Sequence, residues 1–482
     1  MNKKGFTLIE LLAVILILGI IALIAIPTVT NILEEARIGA FEATIDQVLK
    51  AIENDCMQRR LAEKEFINQY SFTKEGIKPK IDIKGNVPQE GYATVTKDCE
   101  VTLNAKNNDY YTYTSSNSEV QVQKKREAKV YGLRYDGTTY TRLLDAAGLE
   151  ANAGVNDQIV KNDFDNAEIY KEIIEIDDEL GNSFILIPKF YIKKIVEDGV
   201  QEWYISKEKV DSSYYLPACF VDEDTNIEHN YILFGKFPGQ NYYGKMVSKR
   251  MTAGVLGLSI TDARILALNN NSENNTGYQL VDIHMLDAIK TLFYIEFATL
   301  NSQSIMKGIV NYQNYVPSGI TDSVKASSGS VDSLTNDTKA MKYRGIENLW
   351  GYMWEYYDGL NVENSTGNIY VNKNARLYSS SISEGYELVG YKRGASGGWI
   401  KKLGWDPKYP YVEVPVEVGG NDSAGYGDYY YAAADNAIKN YFVAGSMANG
   451  TQGGLNLTSF TYDPGRQNNY MNFSSRLAKT PF

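Results

Sequence analysis

The sequence predicts an α+β protein in which a long N-terminal helix and a small β region precede a large, loop-rich C-terminal domain. Three observations support this prediction. An apolar segment at residues 6–26 continues into a stretch with helical periodicity. Short strand-like segments broken by Gly and Pro follow it. The remaining chain, about 350 residues, is long enough to form a domain of its own.

Composition narrows the classes of function. The hydrophobic fraction of 44% is typical of a folded protein, and the net charge of −11 provides no positive field for nucleic acid, so no nucleic-acid contact is expected. Two histidines and three cysteines offer little for a metal centre or a catalytic triad, so neither a cofactor nor a metal is predicted. One disulfide, such as Cys56 to Cys99, could form outside the cell.

The apolar segment from Phe6 to Ile26 contains two polar residues, Thr7 and Glu10. As a helix it is roughly 31 Å long, which matches the hydrocarbon thickness of a bilayer. The basic residues before it place the short N-terminus in the cytoplasm and the bulk of the chain outside. A cleaved secretory signal is the alternative, but the segment is longer than a typical signal core and no A-x-A site follows.

The helical pattern extends beyond the membrane segment. Apolar residues recur every three or four positions at Ile38, Phe41, Ile45, Val48, Leu49 and Ile52. We therefore expect one helix over residues 6–68, apolar all round at first and amphipathic later. Pro27 lacks an N–H donor and predicts a kink in it.

Glu10 is costly inside an apolar segment, since an unpaired carboxylate at a bilayer centre costs about 2.5 to 3.5 kcal/mol. Cleavage between Gly5 and Phe6 would create an amino terminus one helical turn away. The same amine on a neighbouring copy would then neutralise the carboxylate. Such a contact would set the register of a stack of helices.

The run of residues 3–12, KKGFTLIELL, resembles the processing site of type IV pilins and pseudopilins. The resemblance implies that residues 1–5 are a leader, that a prepilin peptidase cuts after Gly5, and that Phe6 is methylated. It further implies that Glu10 guides assembly with other pilin subunits and that Pro27 bends the helix. The protein is then expected at the cell surface, anchored in the membrane or assembled in a pilus.

The residue pattern in the middle of the chain predicts a small β region at residues 69–103 and a linker at residues 104–129. In the first, short strand-like segments alternate with Gly and Pro residues. In the second, Asn- and Ser-rich stretches precede the basic triplet Lys124 to Arg126.

The C-terminal domain, residues 130–482, contains one strongly periodic helix at residues 280–300, in which His284 is expected to be structural. Several segments, taken in order, resemble the C-type-lectin-like fold of formylglycine-generating-enzyme-like domains and of variable proteins from diversity-generating retroelements. These segments are residues 162–165, 187–191, 295–298, 343–355, 426–430 and 475–478.

This resemblance allows either an enzyme or a binding protein. The related oxidising enzymes use cysteine chemistry or a histidine-bound metal, whereas Cys219 is the only cysteine after Cys99 here, so no catalytic residue is assigned. The calcium-dependent sugar motifs of ordinary C-type lectins are absent from the sequence.

A binding surface over residues 426–473 is the remaining prediction, because this stretch mixes tyrosines with small hydrogen-bonding residues as antibody loops do. The candidate ligand contacts are Tyr429, Tyr430, Tyr431, Tyr441, Asn449, Thr451, Gln452, Asn456, Thr458, Arg466, Gln467, Asn468, Asn469 and Tyr470. In retroelement-diversified relatives the corresponding stretch is hypervariable.

The sequence therefore predicts a non-enzymatic minor or tip pilin-like subunit that displays a lectin-like domain for an unknown protein or glycan ligand. A head of about 350 residues would crowd a filament if every subunit carried one, which favours a low copy number. The first alternative is a pseudopilin of a secretion or DNA-uptake machine. The second is a surface enzyme of the formylglycine-generating type.

Overall fold

The structure is a computed structural model. It describes residues 36–73, 76–81, 83, 87–106, 110–114, 120–124, 128–250, 257–273, 275–312, 314–335, 338–383, 385–423, 425–433, 435–461 and 473–480. The chain divides into two compact units, a first unit at Met1–Glu127 and a second unit at Ala128–Phe482.

Strands dominate the described residues, with 38% in strands against 18% in helices. The α+β prediction is therefore wrong, and the protein is mostly β. Three α-helices occur in the described chain: α1 at residues 36–61, α2 at Ile260–Leu268 and α3 at Ile283–Phe297.

The first unit packs α1 against an antiparallel sheet in the order β2-β1-β3-β4-β5-β6. Its strands are β1 (Gln69–Thr73), β2 (Gly76–Lys78), β3 (Glu90–Val95), β4 (Val101–Lys106), β5 (Tyr110–Thr114) and β6 (Val120–Lys124). The last two lie in the segment that the sequence predicted as a linker.

One face of α1 forms the core of the first unit, as its periodicity predicted. The buried helix residues are Phe41, Ile45, Val48, Ile52 and Cys56. They meet the sheet residues Tyr70, Phe72, Ala93 and Leu103. Cys56 forms a disulfide with Cys99, which ties the helix to the turn between β3 and β4.

The second unit contains 26 strands among the described residues. They are β7 (Val130–Tyr135), β8 (Tyr140–Leu144), β9 (Gly154–Val155), β10 (Ile174–Asp177), β11 (Ser183–Pro188), β12 (Tyr191–Glu197), β13 (Val200–Ser206), β14 (Val221–Asp222), β15 (Ile227–Glu228), β16 (Tyr231–Gly235), β17 (Gln240–Tyr242), β18 (Lys245–Val247), β19 (Tyr278–Leu280), β20 (Gly329–Val331), β21 (Ala340–Tyr343), β22 (Ile346–Glu347), β23 (Trp354–Glu363), β24 (Asn368–Val371), β25 (Glu387–Lys392), β26 (Gly398–Asp406), β27 (Tyr409–Val418), β28 (Tyr429–Ala432), β29 (Ile438–Ala444), β30 (Gly454–Phe460), β31 (Phe473–Ser474) and β32 (Leu477–Lys479).

Several sheets surround α3 in this unit. The largest has nine strands and runs β25-β24-β23-β29-β30-β28-β26-β27, with β31 paired to β23. Three others run β10-β11-β16-β32-β19, β12-β13-β7-β8 and β22-β21-β20-β9. Every residue of α3 is buried, so this helix is the centre of the core and not a surface element.

Strand β23 shows why periodicity underestimated the β content. Nine of its ten residues are buried, so both faces are covered and no alternation of polar and apolar residues marks it as a strand. Its polar members Glu355, Asp358 and Asn361 instead find partners inside the fold. A buried strand with polar residues cannot be told from a loop by its sequence pattern.

No helix in the described part of the chain is long and apolar enough to cross a bilayer. The membrane segment predicted at residues 6–26 lies outside that part.

Candidate functional site

Several predicted site residues lie outside the described residues. These are the processing and assembly residues Gly5, Phe6, Glu10 and Pro27, and the ligand-contact candidates Arg466, Gln467, Asn468, Asn469 and Tyr470. The other nine candidates fall into a partly exposed group and a buried group.

Strand β28 presents Tyr429 and Tyr431 on one face, both half-buried, while Tyr430 between them points inward. The ring of Tyr429 lies 5.6 Å from Trp399 and 4.8 Å from Tyr431, measured between centroids. Tyr431 in turn lies 5.8 Å from Trp354, which is buried and supports the row from the core. We call Trp399, Tyr429, Tyr431 and Trp354 the aromatic row; it crosses β26, β28 and β23.

The segment between β29 and β30 places amide side chains beside this row. The Asn449 amide donates to the hydroxyl of Tyr431 at 3.2 Å, and that hydroxyl donates to the side-chain oxygen of Gln452. Thr451 between them is exposed. We call Asn449, Thr451 and Gln452 the amide loop.

Side-chain and backbone hydrogen bonds from Gln303 and Ser446 fix the position of the amide loop. The Gln303 side chain donates to the carbonyl oxygens of Gly450, Thr451 and Gly453. Asn449 also accepts hydrogen bonds from the backbone and hydroxyl of Ser446, at 2.7 and 3.0 Å. The loop is therefore fixed to the core and presents a defined surface.

Four predicted ligand contacts, namely Tyr430, Tyr441, Asn456 and Thr458, are buried, with at most 1% of each residue exposed. Asn456 accepts from the Tyr294 hydroxyl at 2.5 Å and donates to the Leu300 carbonyl at 2.9 Å. The Tyr430 hydroxyl donates to the Gly394 carbonyl at 2.8 Å. In this conformation these side chains support the surface from inside and do not face solvent.

Four of the six segments that carry the lectin-like resemblance, residues 162–165, 295–298, 343–355 and 475–478, contribute to two buried ionic clusters. In the first, Glu296 accepts hydrogen bonds from Arg344 at 2.7 and 2.9 Å and from Asn162 at 2.7 Å. In the second, Arg476 contacts Glu355 and donates to the backbone carbonyls of Glu347 and Asn348. Their shared property is burial, so they hold the fold together.

Cys219 and His284, which could carry redox or metal chemistry, are enclosed. Burial raises the pKa of the Cys219 thiol well above its usual value and lowers the pKa of His284 to about 3. Within the described ranges no three His, Cys, Asp or Glu side chains are placed to hold a metal ion.

Sequence reasoning missed two features. Trp399 was not among the predicted ligand contacts, yet it is half-buried and begins the aromatic row. The buried Lys194, Asp287 and Glu413 come together from β12, α3 and β27. Their separations along the chain, 93 and 219 residues, leave no local signal.

The family model for the prokaryotic N-terminal methylation motif matches residues 1–26. A search of the curated proteins found no match. The motif is consistent with processing by a prepilin peptidase and with assembly among pilin subunits. It indicates a type IV pilin-like or pseudopilin-like protein that is associated with the cell surface or with a pilus.

Proposed function

We propose that this protein is a minor or tip pilin subunit whose second unit is a non-catalytic domain that binds a protein or glycan ligand. The N-terminal segment would be cut after Gly5, methylated at Phe6 and assembled with other subunits through Glu10. The second unit would then be displayed outside the cell for adhesion or target recognition, as its lectin-like resemblance first suggested.

The observation that carries the binding proposal is the aromatic row beside the amide loop. Tyrosine and tryptophan rings give large contact area at low entropic cost, and amide and hydroxyl groups add directional hydrogen bonds. Both protein epitopes and sugar rings use this combination of a flat apolar face and polar edges. The rigid support from Gln303 and Ser446 lowers the entropic cost of binding.

The state of Cys219 supports a non-catalytic function. Cysteine chemistry requires an accessible thiolate, but this residue is 6% exposed and its pKa is raised by burial. If Cys219→Ser abolished a measurable turnover in the folded protein, the binding proposal would have to be replaced by the enzymatic alternative.

We include retroelement diversification in the proposal. The half-buried Tyr429 and Tyr431 and the exposed Thr451 stand on a scaffold whose buried neighbours make the core contacts, so substitution at the surface positions leaves those contacts in place. A near-copy of the coding stretch for residues 426–473 beside a reverse transcriptase gene would support it, and a neighbourhood without both would refute it.

The ligand test uses the whole chain in its own cells. Tyr429→Ala is compared with Tyr243→Ala, a matched control because the Tyr243 residue is 90% exposed and lies outside the aromatic row. Retention of cells is measured on panels of immobilised glycans and on immobilised cell envelopes. Loss of retention in Tyr429→Ala alone, with filament number unchanged, is expected; equal retention by both variants and the parent refutes the assignment of this surface.

The methylation motif is equally compatible with a pseudopilin, so a second function remains in competition. Deletion of residues 130–482 separates the two. Loss of adhesion alone supports the displayed binder, whereas loss of secretion or DNA uptake with unchanged filament number supports the pseudopilin.

A further inference from the structure

Lys194, Asp287 and Glu413 form a charged cluster at the centre of the second unit. The Lys194 ammonium contacts the Asp287 carboxylate, and it lies 2.6 Å from Oε1 of Glu413. The three side chains are 0%, 1% and 3% exposed. Two carboxylates and one ammonium thus sit without bulk water, where the desolvation of ions is expensive.

We propose that Lys194 and Asp287 condense into an intramolecular isopeptide bond, with Glu413 as the group that moves the proton. Placing an amine and a carboxyl group in fixed contact replaces a bimolecular encounter by an intramolecular one, which removes the entropic part of the barrier to amide formation. The product is neutral, so the reaction also removes two buried charges. This inference is independent of the proposed binding function.

The three side chains of the cluster provide the nucleophile, the electrophile and the proton carrier that the reaction requires. A proton passes from the Lys194 ammonium to the Asp287 carboxylate, leaving a neutral amine and a neutral acid. The amine nitrogen attacks Cγ of Asp287 and forms a tetrahedral intermediate. Glu413 takes a proton from that nitrogen and delivers it to the departing Oδ1 hydroxyl, so that the C–O bond breaks, water leaves and the Glu413 carboxylate is restored.

The second oxygen of Asp287 has its own donor. The Tyr215 hydroxyl donates to Oδ2 at 2.7 Å, which places a hydrogen bond on the oxygen that becomes negative in the intermediate and is the carbonyl oxygen of the product. Glu413 is oriented by Trp203, whose indole N–H donates to Oε1 at 2.9 Å. Both contacts favour a precise geometry of attack.

A neighbouring cation and cavity complete the site. Lys290 is 2% exposed, and its positive charge helps to keep the Glu413 carboxylate ionised after Lys194 becomes neutral. A cavity lined by Asp287, Lys290, Tyr411 and Glu413 has space for about one water molecule, the size of the leaving group.

Lys236 provides an internal comparison. Its ammonium lies 2.6 Å from Glu175 and 3.2 Å from Asp322, but these carboxylates are 43% and 38% exposed. Solvent reaches both of these carboxylates, so the site lacks the enclosure that surrounds Lys194 and Asp287. We therefore expect the peptide that contains Lys236 to stay unlinked.

The test is peptide mapping by mass spectrometry on the full chain, purified folded in detergent and reduced before digestion. We expect a linked species joining the peptides of Lys194 and Asp287, about 18 Da lighter than their sum because one water is lost. Recovery of both peptides unlinked from the folded parent protein overturns the proposal, whatever the variants do.

Two variants test the assigned roles. Asp287→Asn is expected to form the same link with loss of ammonia, about 17 Da, because its amide offers the same carbon to the amine. Glu413→Gln removes the proton carrier, and unlinked peptides are expected in molecules that elute as folded protein. A fully linked Glu413→Gln chain would refute the assigned proton transfer.

Discussion

Arg476 and Glu355 form an ion pair at 2.8 Å in which the side chains are 0% and 1% exposed. Arg476 stands between β31 and β32, and Glu355 belongs to β23, so the contact joins the end of the chain to the largest sheet. The remaining guanidinium protons go to backbone carbonyls of Gly235, Lys236, Glu347 and Asn348. The pair is therefore part of the core of the second unit.

Removing one partner of this pair should destabilise the second unit strongly. Glu355→Ala leaves the arginine charge buried without its counter-ion, and we expect a loss of about 3 to 5 kcal/mol in the free energy of unfolding. Urea unfolding of the full chain measures it. Glu417→Ala, which breaks the exposed pair with Lys401, is the control and should have far less effect. Equal losses in the two variants would contradict the role of burial.

Alanine substitutions at two glycines in the predicted ligand region distinguish the cost of backbone strain from the cost of a steric clash. Both glycines have positive φ, but only one has a close neighbour at its Cβ position. Gly427 has φ +65°, and a Cβ there would lie 2.1 Å from Nδ2 of Asn301. Gly450 has φ +57°, but no atom lies within 4 Å of its Cβ position. We expect each alanine substitution to lower the free energy of unfolding by about 1 kcal/mol, because alanine disfavours the left-handed backbone conformation.

Gly427→Ala should cost about 2 kcal/mol more than Gly450→Ala, because Asn301 must leave its place. Asn301 accepts a hydrogen bond from the Ser304 backbone, so moving it breaks an internal contact. Thermal unfolding of the two variants measures the difference. Equal losses in the two variants would show that the clash is relieved at no cost.

Sequence patterns predicted the elements that have a regular period. The amphipathic face of α1 and the apolar helix α3 both follow local rules. The methylation motif is local too, since its residues are consecutive in the chain.

The errors concern contacts between distant residues. Strand β23 has no alternation because both its faces are buried, and Tyr430 and Tyr441 look like surface tyrosines although they are enclosed. Whether a tyrosine faces solvent depends on which strand lies beside it, and pairs such as β28 with β30 are fixed by the whole sheet. The cluster of Lys194, Asp287 and Glu413 also leaves no pattern in the sequence, because its members are far apart in the chain and meet only in the folded protein.

Asp282 should make stability depend on pH in an unusual direction. It caps α3 by accepting hydrogen bonds from the backbones of His284 and Met285, yet burial raises its pKa to about 7. Between the ordinary aspartate pKa near 4 and pH 7, the unfolded chain releases this proton and the folded chain retains it. Stability from this group is therefore complete below pH 4 and falls as pH rises toward 7.

Asp282→Asn keeps an N-cap that does not titrate. We expect the parent to lose stability relative to this variant by about 1 kcal/mol per pH unit over that window. Urea unfolding at several pH values gives the difference. The control is Asp211→Asn, where a hydrogen bond from Ser213 lowers the pKa of the carboxyl, so its small effect should have the opposite sign. A flat difference for Asp282→Asn would contradict the raised pKa.

Processing at Gly5 can be tested apart from display. We propose that the cut follows Gly5 within the matched motif. Gly5→Leu places a bulky side chain at that bond and should leave residues 1–5 on the chain, which N-terminal peptide mapping of protein from the native host should show. Gly39→Leu is the matched control, because Gly39 lies on α1 with no atom within 4 Å of its Cβ position, and this variant should be cut and methylated at Phe6 like the parent. Glu10→Ala should be cut as well, but its incorporation into filaments should fall, because it lacks the carboxylate that we propose to pair with the amine of a neighbouring subunit. Normal incorporation of Glu10→Ala would contradict the proposed assembly role, and a cleaved Gly5→Leu chain would contradict the proposed processing site.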